Sequence, residues 1–339
     1  MRPVICFGEA LIDFLNTSEQ ADGCLSLKNY RQYPGGAPAN AAVAVAKLGG
    51  QAYFSGQVGD DIFGHFLEQA LLKYNVNISY LYKHPTASTA LAFVTLDEDG
   101  DRSFSFYRQQ TADMLFDHTQ INADWFEHPV IFHFCSNTLT EPTIANTTKL
   151  AVKMAKENNA LVSFDVNLRH NLWQKGSAEP SIVNELIYQS DIIKFSKEEF
   201  DFLAKAQPEK YVATCFNSGI SLIVITNGEH DIEFITHQGT GKFAVPKVEA
   251  LDTTAGGDAF SGALLMAFSH LSKPESAFDS FTTLEAMIRF ASFCGAHAVT
   301  KQGAFPALPT FKDVEQYWPV NVLGQPTQAN PLGESHAIF

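Results

Sequence analysis

The stretch PVIFHFCSNTLTEPTIANTTKLAVKMAKENNALVSFDV, residues 129–166, holds one complete structural cycle. PVIFHF (129–134) and ALVSFDV (160–166) are short apolar runs rich in aromatic and β-branched residues, the pattern of buried strands. PTIANTTKLAVKMAKENN (142–159), between them, is a helix candidate. A strand, a helix and a strand in succession imply a right-handed crossover between parallel neighbours. The cycle recurs: PVICFG (3–8), QAYFSGQVG (51–59), DIIKF (191–195) and SLIVIT (221–226) read as further strands. PANAAVAVAKLGG (38–50), IFGHFLEQALLKYN (62–75) and FDFLAKA (200–206) read as further helices. The expected fold is α/β, a mostly parallel sheet covered on both faces.

Two segments break this rhythm. Residues 16–34 are polar around Gly23, and residues 86–110 contain STALAFVTL and SFSFYR around the acidic turn DEDGDR (97–102). The second segment is a hairpin signal. Together they predict a small β-sheet lid inserted into one large domain spanning 1–319, and 320–339 reads as a loosely packed extension.

Composition narrows the function. Of 339 residues, 23 are Lys or Arg and 37 are Asp or Glu, a net charge of −14 that argues against a nucleic-acid binder. No run approaches the roughly 18 apolar residues of a membrane span, and Glu9 and Asp13 interrupt the N-terminal apolar stretch, unlike a signal peptide. The five cysteines are scattered and form no CxxC pair, so buried thiols in a reducing cytoplasm are expected.

The chemistry concentrates in VEALDTTAGGDAFSGALLMAFSH (248–270). An apolar approach leads to Asp252, a small-residue turn, Asp258 and then an apolar helix. Amides at a helix start lack partners and the dipole there is positive, so an anion can be held without a cationic side chain. Asp258 beside it suits a base that accepts a proton from a hydroxyl attacking a phosphate. A tight connection before a helix explains the glycines equally well on this segment alone. In YPGGAPANAAVAVAKLGG (33–50), Gly35 and Gly36 admit a ligand close to the backbone, and Asn40 can both donate and accept.

GEALIDF (8–14), GGAPAN (35–40), VGDDIFGHFL (58–67), FDVNLR (164–169), KFSKEEF (194–200), TNGE (226–229) and DTTAGGD (252–258) occur in the order that resembles the ribokinase-like, or PfkB, carbohydrate kinases. The resemblance extends to about Pro309, and within that family GGAPAN, SFSFYR, FDVNLR and KQGAFPALP (301–309) favour the fructokinase branch. It implies a three-layer α/β/α fold, ATP and Mg²⁺, with Asp258 as base and an anion hole at the amides of Ala255, Gly256 and Gly257. It places Asp13, Gly35, Gly36, Asn40 and Arg169 on the sugar, with Phe106 and Arg108 of the hairpin closing over it. Lys194, Thr226, Gly228, Ser292 and Gly295, with Gly257, are implied at the nucleotide. Glu199 is implied as an Mg²⁺ organiser through water, and Asp252 and Thr254 as a K⁺ site.

Three departures stand out. Ala255 and Gly256 exchange the family's glycine and alanine, which is harmless only if Ala255 avoids positive φ. Ser196 replaces the asparagine of N-x-x-E, and Asp231 replaces a glycine of the ATP turn. The expected activity is phosphorylation of a sugar primary hydroxyl, D-fructose first. A ribose, 2-keto-3-deoxygluconate or nucleoside kinase and a catalytically silent sensor are the alternatives. A homodimer formed through the lid is expected. A dinucleotide oxidoreductase is disfavoured because no GxGxxG follows the first strand.

Overall fold

Along the first strand, Val4 and Cys6 pack into one apolar cluster while Ile5 and Phe7 pack into another. Leu222 and Val224 likewise oppose Ile223 and Ile225. This period-two alternation with both sets buried requires a sheet covered by helices on each face. The structure is a computed structural model that describes residues 1–96, 102–128 and 130–326.

In chain order the strands are β1 (Val4–Phe7), β2 (Leu11–Asp22), β3 (Leu25–Gly35), β4 (Ala52–Gly59), β5 (Asn77–His84), β6 (Leu91–Leu96), β7 (Arg102–Tyr107), β8 (Ile131–Cys135), β9 (Leu161–Asp165), β10 (Ile192–Ser196), β11 (Leu222–Thr226), β12 (Ile232–Thr236) and β13 (Gly239–Phe243). The principal helices are α1 (Ala37–Lys47), α2 (Ile62–Lys73), α3 (Pro142–Glu157), α4 (Pro180–Ile187), α5 (Lys197–Ala204), α6 (Pro208–Asn217), α7 (Gly256–His270) and α8 (Phe281–Val299). The large sheet runs β13-β12-β11-β10-β9-β8-β1-β4-β5. It is parallel from β11 to β5, and β12 and β13 add antiparallel strands at one edge. The three-layer α/β/α expectation holds.

The small sheet has the order β3-β2-β6-β7. Its two hairpins are antiparallel, but β2 and β6 pair in parallel. The first lid strand starts at Leu11 rather than Asn16, because Gly8 at φ 145 ends β1 and redirects the chain. The apolar run ALIDFL therefore belongs to the lid, and Asp13 is a lid residue. The second hairpin pairs Leu91–Leu96 with Arg102–Tyr107, and its expected acidic turn lies outside the described residues.

In the lid, Asp13 pairs with Ala92 and Ala92 with Phe106, so all three share one face. The opposite face is aromatic: Phe93 lies within 5.4 Å, ring to ring, of Phe14, Tyr30 and Tyr107. Of these, Tyr107 is 64% exposed.

Two further expectations are corrected. The chain beyond 320 is packed at its start: Leu323 is buried in the core and the Trp318 indole donates to the Gly324 carbonyl, while residues 327–339 lie outside the description. Four cysteines are buried, but Cys24 is exposed at the β2–β3 turn. Among the described residues, no helix is long and apolar enough to cross a membrane.

Candidate active site

The parallel strands β1, β8, β9, β10 and β11 end on a common edge, where ligands of open α/β sheets bind. The lid stands over that edge. Between them lies a cleft whose wall includes Asp13, Gly36, Asn40, Phe106, Arg169 and Asp258. The sequence reading scattered these six over some 245 positions, and the fold brings them together.

Packing of α1 on α7 sets the position of Asp258. A Cβ on Gly262 would lie 2.4 Å from the Ala44 Cβ, so the two helices touch where only glycine fits. One turn earlier on each helix, Asn40 Nδ2 donates to Asp258 Oδ2 at 2.7 Å. On another side of α7, Ser261 Oγ donates to Asp165 Oδ2 at 2.8 Å, and both Asp165 oxygens hold Lys194 Nζ at 2.9 Å. Lys194 Nζ in turn lies 3.4 Å from the position a Cβ on Gly257 would take. A partly buried cation thus sits beneath the first turn of α7.

Ala255 is the residue before that turn, at φ −103 and ψ 7, an allowed conformation for alanine. The exchanged alanine and glycine therefore introduce no backbone strain. Gly256 has its own reason: a Cβ there would meet Val299 Cγ1 at 2.7 Å.

Glycines also shape the lid side of the cleft. Gly36 caps α1 at φ 103, and a Cβ there would be 2.5 Å from the Glu9 carbonyl oxygen. A Cβ on Gly35 would meet Asp13 Oδ2 at 2.0 Å, so the absent side chain makes room for this carboxylate. Asn167, left-handed at φ 36, turns the chain after β9 and delivers Arg169, whose guanidinium lies 5.6 Å over the Phe104 ring.

Burial pushes the Asp258 carboxyl up to about 7, with the Asn40 hydrogen bond opposing and Asp165 reinforcing the shift. Burial also raises Asp13 to about 7, helped by the negative charges of Asp258 and Asp252 and opposed by Arg169. Two acids of raised proton affinity facing one cleft are a signature of proton-transfer chemistry. On the cleft wall, the buried side-chain carbonyls of Asn40 and Asn137 lack partners among the described residues. Both can accept from a hydroxyl donor.

Other expected positions lie outside this wall. Arg108 is not on the cleft wall. At the end of β7 its buried guanidinium pairs with Asp113, donates to the Asn137 carbonyl at 3.1 Å and lies 3.8 Å from Glu9. Glu199 closes a capping box with Ser196 at the start of α5; its oxygens accept from the amides of Ser196 at 2.7 Å and Leu168 at 2.8 Å. The hydroxyl that replaces the family's asparagine is therefore a helix cap. Gly295 lets α8 approach α7, since a Cβ there would lie 3.0 Å from the Gly256 carbonyl. Ser292, one turn earlier on α8, is buried, and its hydroxyl has no partner among the described residues. Thr226 ends β11 and donates to the Phe195 carbonyl at 3.2 Å; Gly228 follows in the left-handed region at φ 56. Asp252 accepts from the amides of Thr254 and Gly303, each at 2.9 Å.

Glu9, Asn137, Asn167 and Phe104 line the cleft without having been singled out. Glu9 had a signal, a charge inside an apolar run. Asn137 had none, because it owes its role to a short helical turn after β8 that no local pattern marks.

An acid of raised proton affinity at a helix start, a cation beneath that turn and a second acid on a lid define a group-transfer enzyme of the α/β class. The model of the pfkB family of carbohydrate kinases matches residues 1–310, and the chain belongs to that family. Probable fructokinase-5 from Arabidopsis thaliana is 38% identical over 315 residues, covering 92% of this chain and 96% of that protein. Fructokinase with bound ATP from Xylella fastidiosa superposes with a TM-score of 0.86 at 36% identity, covering 93% of this chain and 97% of that one. A fructokinase double mutant from Vibrio cholerae O395, in fructose, ADP and potassium ion bound form, gives 0.83 at 32% identity, covering 94% and 98%.

Proposed function

We propose that this chain transfers the γ-phosphoryl group of ATP to the primary hydroxyl of D-fructose, giving fructose 6-phosphate, with Asp258 as the base. The observation that carries this reading is the seat of Asp258: first turn of α7, fixed by Asn40, its carboxyl raised to about 7 inside a cleft shared with Asp13 and Arg169. A base of that affinity is about half ionised at neutral pH and basic enough to take a hydroxyl proton as the oxygen attacks. Asp13 and the carbonyls of Asn40 and Asn137 offer acceptors to sugar hydroxyls. The amides of Ala255, Gly256 and Gly257, at the positive end of α7, face the transferring phosphoryl group with Lys194 beneath them.

The cleft favours a neutral sugar over an acidic one. Glu9, Asp13 and Asp258 give it three carboxyls, and Arg108 is committed to Asp113 and Glu9. A sugar carboxylate would meet like charge there. The names of the relatives and the fructose held by the Vibrio cholerae enzyme support fructose in particular.

Thr226, Gly228, Ser292 and Gly295 are proposed for the nucleotide, beyond the phosphate end at Lys194 and Gly257. Each oxygen of Glu199 already takes one amide, so its remaining lone pairs suit bound water better than direct ligation. Mg²⁺ held there through water with the phosphates would neutralise their charge. Asp252, anchored by two amides beside Thr254, is the proposed K⁺ locus. A second copy covering the exposed aromatic face of the lid is the proposed assembly, and five free cysteines suit the cytoplasm.

The test is ADP release over fructose, ribose, 2-keto-3-deoxygluconate and nucleosides, with and without K⁺. Strong turnover on fructose is the expected result. Turnover on another substrate with none on fructose overturns the assignment, and ATP binding without turnover on any substrate favours the sensor.

A further inference from the structure

Helix α1 holds the base at one end and a different structure at the other. At its last residue, Lys47, the ammonium donates to three backbone carbonyls of one segment: Phe305 at 3.2 Å, Pro306 at 3.4 Å and Leu308. Three N–H bonds meet three acceptors, a saturated arrangement that only a protonated lysine provides. The Tyr74 ring lies 5.3 Å from the same nitrogen and packs edge-on against Phe305, closing the seat. Ala304, Phe305, Ala307 and Leu308 are all buried, yet the segment has no regular hydrogen-bond ladder of its own.

This segment reaches the phosphate-facing turn. Gly303, two residues before Phe305, donates its amide to Asp252 Oδ2, and Asp252 Oδ1 accepts from the Thr254 amide directly before Ala255. Gly303 also packs under Tyr33 of β3, where a Cβ would lie 2.5 Å from the ring. The path from Lys47 to Ala255 thus runs through one buried segment and two amide-to-carboxylate bonds. The other end of α1 reaches the same turn through Asn40 and Asp258.

We propose that Lys47 is a positioning residue for phosphoryl transfer: by seating residues 303–308 it fixes Asp252 and, through it, the turn 252–257 that carries the anion hole. Lys47 is not on the cleft wall. Its loss leaves the sugar side of the cleft, built by Asp13, Gly36 and Asn40, in place. The consequence is asymmetric: transfer suffers and sugar binding does not. This inference rests on the kinase reading only for its kinetic arm.

The experiment compares Lys47→Met and Lys47→Arg with the unaltered chain. Amide hydrogen exchange is followed by peptide, and kcat and KM are measured for ATP and fructose. In Lys47→Met, exchange of peptides covering 251–257 is expected to rise at least tenfold along with 303–308. A kcat loss of about tenfold and a fructose KM within twofold are expected beside it. Lys47→Arg, which keeps charged donors, is expected to recover most of both. If 303–308 loosens while 251–257 exchanges as before, or if kcat stays within twofold, the proposal is wrong and Lys47 serves stability alone. Should Lys47→Met fail to fold, Lys47→Gln is read by the same criteria. An unaltered chain inactive on fructose sinks the substrate assignment instead, leaving the exchange arm to decide this one.

Discussion

Asp258 can take a proton only when ionised, so its raised affinity has a direct kinetic sign. With the carboxyl at about 7, kcat/KM for the sugar should fall as pH drops through that value and level off above it. Asp258→Asn keeps a hydrogen-bonding group opposite Asn40 but cannot act as a base. A kcat loss of about 10²–10⁴-fold is expected, with sugar binding by calorimetry largely retained. Near-normal turnover would remove Asp258 from the mechanism. The negative charge of Asp258 helps to raise Asp13, and repulsion between two acids acts on both. Asp13→Asn should move the acid limb of the pH profile to lower pH and raise the fructose KM together; an unmoved limb would show that the two groups do not interact.

Helices α7 and α8 meet at Gly256, Gly295 and Val299, and that contact explains why Ala255 and Gly256 stand in this order. The first position has φ −103, where glycine brings only extra freedom in the unfolded chain. The second faces Val299 Cγ1 at 2.7 Å, where a methyl group must displace a neighbour. The double exchange Ala255→Gly/Gly256→Ala, which restores the family's usual order, is therefore expected to destabilise this chain by about 1–3 kcal/mol, the range for overpacking. Thermal unfolding measures it, and an unchanged or higher Tm would show that the α8 side relaxes freely. The same contact carries the proposed anion hole, so kcat should fall with stability.

Over the whole molecule, buried titratable groups make stability depend on pH in two opposed ways. Asp13 and Asp258, raised from the ordinary carboxylate range to about 7, leave the folded apo chain with more bound protons than the unfolded chain from about pH 4 to 7. Their effect lowers stability as pH rises through that window. His133, buried in β8 and lowered to about 4, is neutral when folded and charged when unfolded, so it lowers stability as pH falls from about 6.5 to 4. Above pH 6.5 only the acids still act among these three. The apo chain should have a lower Tm at pH 8 than at pH 6.5, and Asp13→Asn should shrink the difference; an equal difference in the variant would refute the assignment. The lid supplies the other prediction at this scale. A second copy over Tyr30, Phe93 and Tyr107 should give a dimer in sedimentation at micromolar concentration, and Tyr107→Lys should weaken it. A monomer across that range would leave the aromatic face without the proposed cover.

The sequence by itself determined most of the alternation of strands and helices, because each central parallel strand carries enough apolar residues to be buried on both faces; it did not mark α4, α6 and α8. It determined Asp258 and the small-residue turn, whose chemistry is local to a helix start. It did not reveal β5, β12 and β13, edge or near-edge strands whose pattern is diluted by polar residues and glycine. Nor did it distinguish the arginines: Arg169 and Arg108 both follow strands, and only the fold sends one into the cleft and buries the other between Glu9 and Asp113. Tertiary structure also decided that Asp13 belongs to the lid, that Glu199 is first a helix cap and that Lys47 closes a segment more than 250 residues away. The physical reason is common to all of these. A residue's propensity and periodicity report on its neighbours along the chain, whereas the partner that satisfies a buried charge or amide is set by which elements pack together.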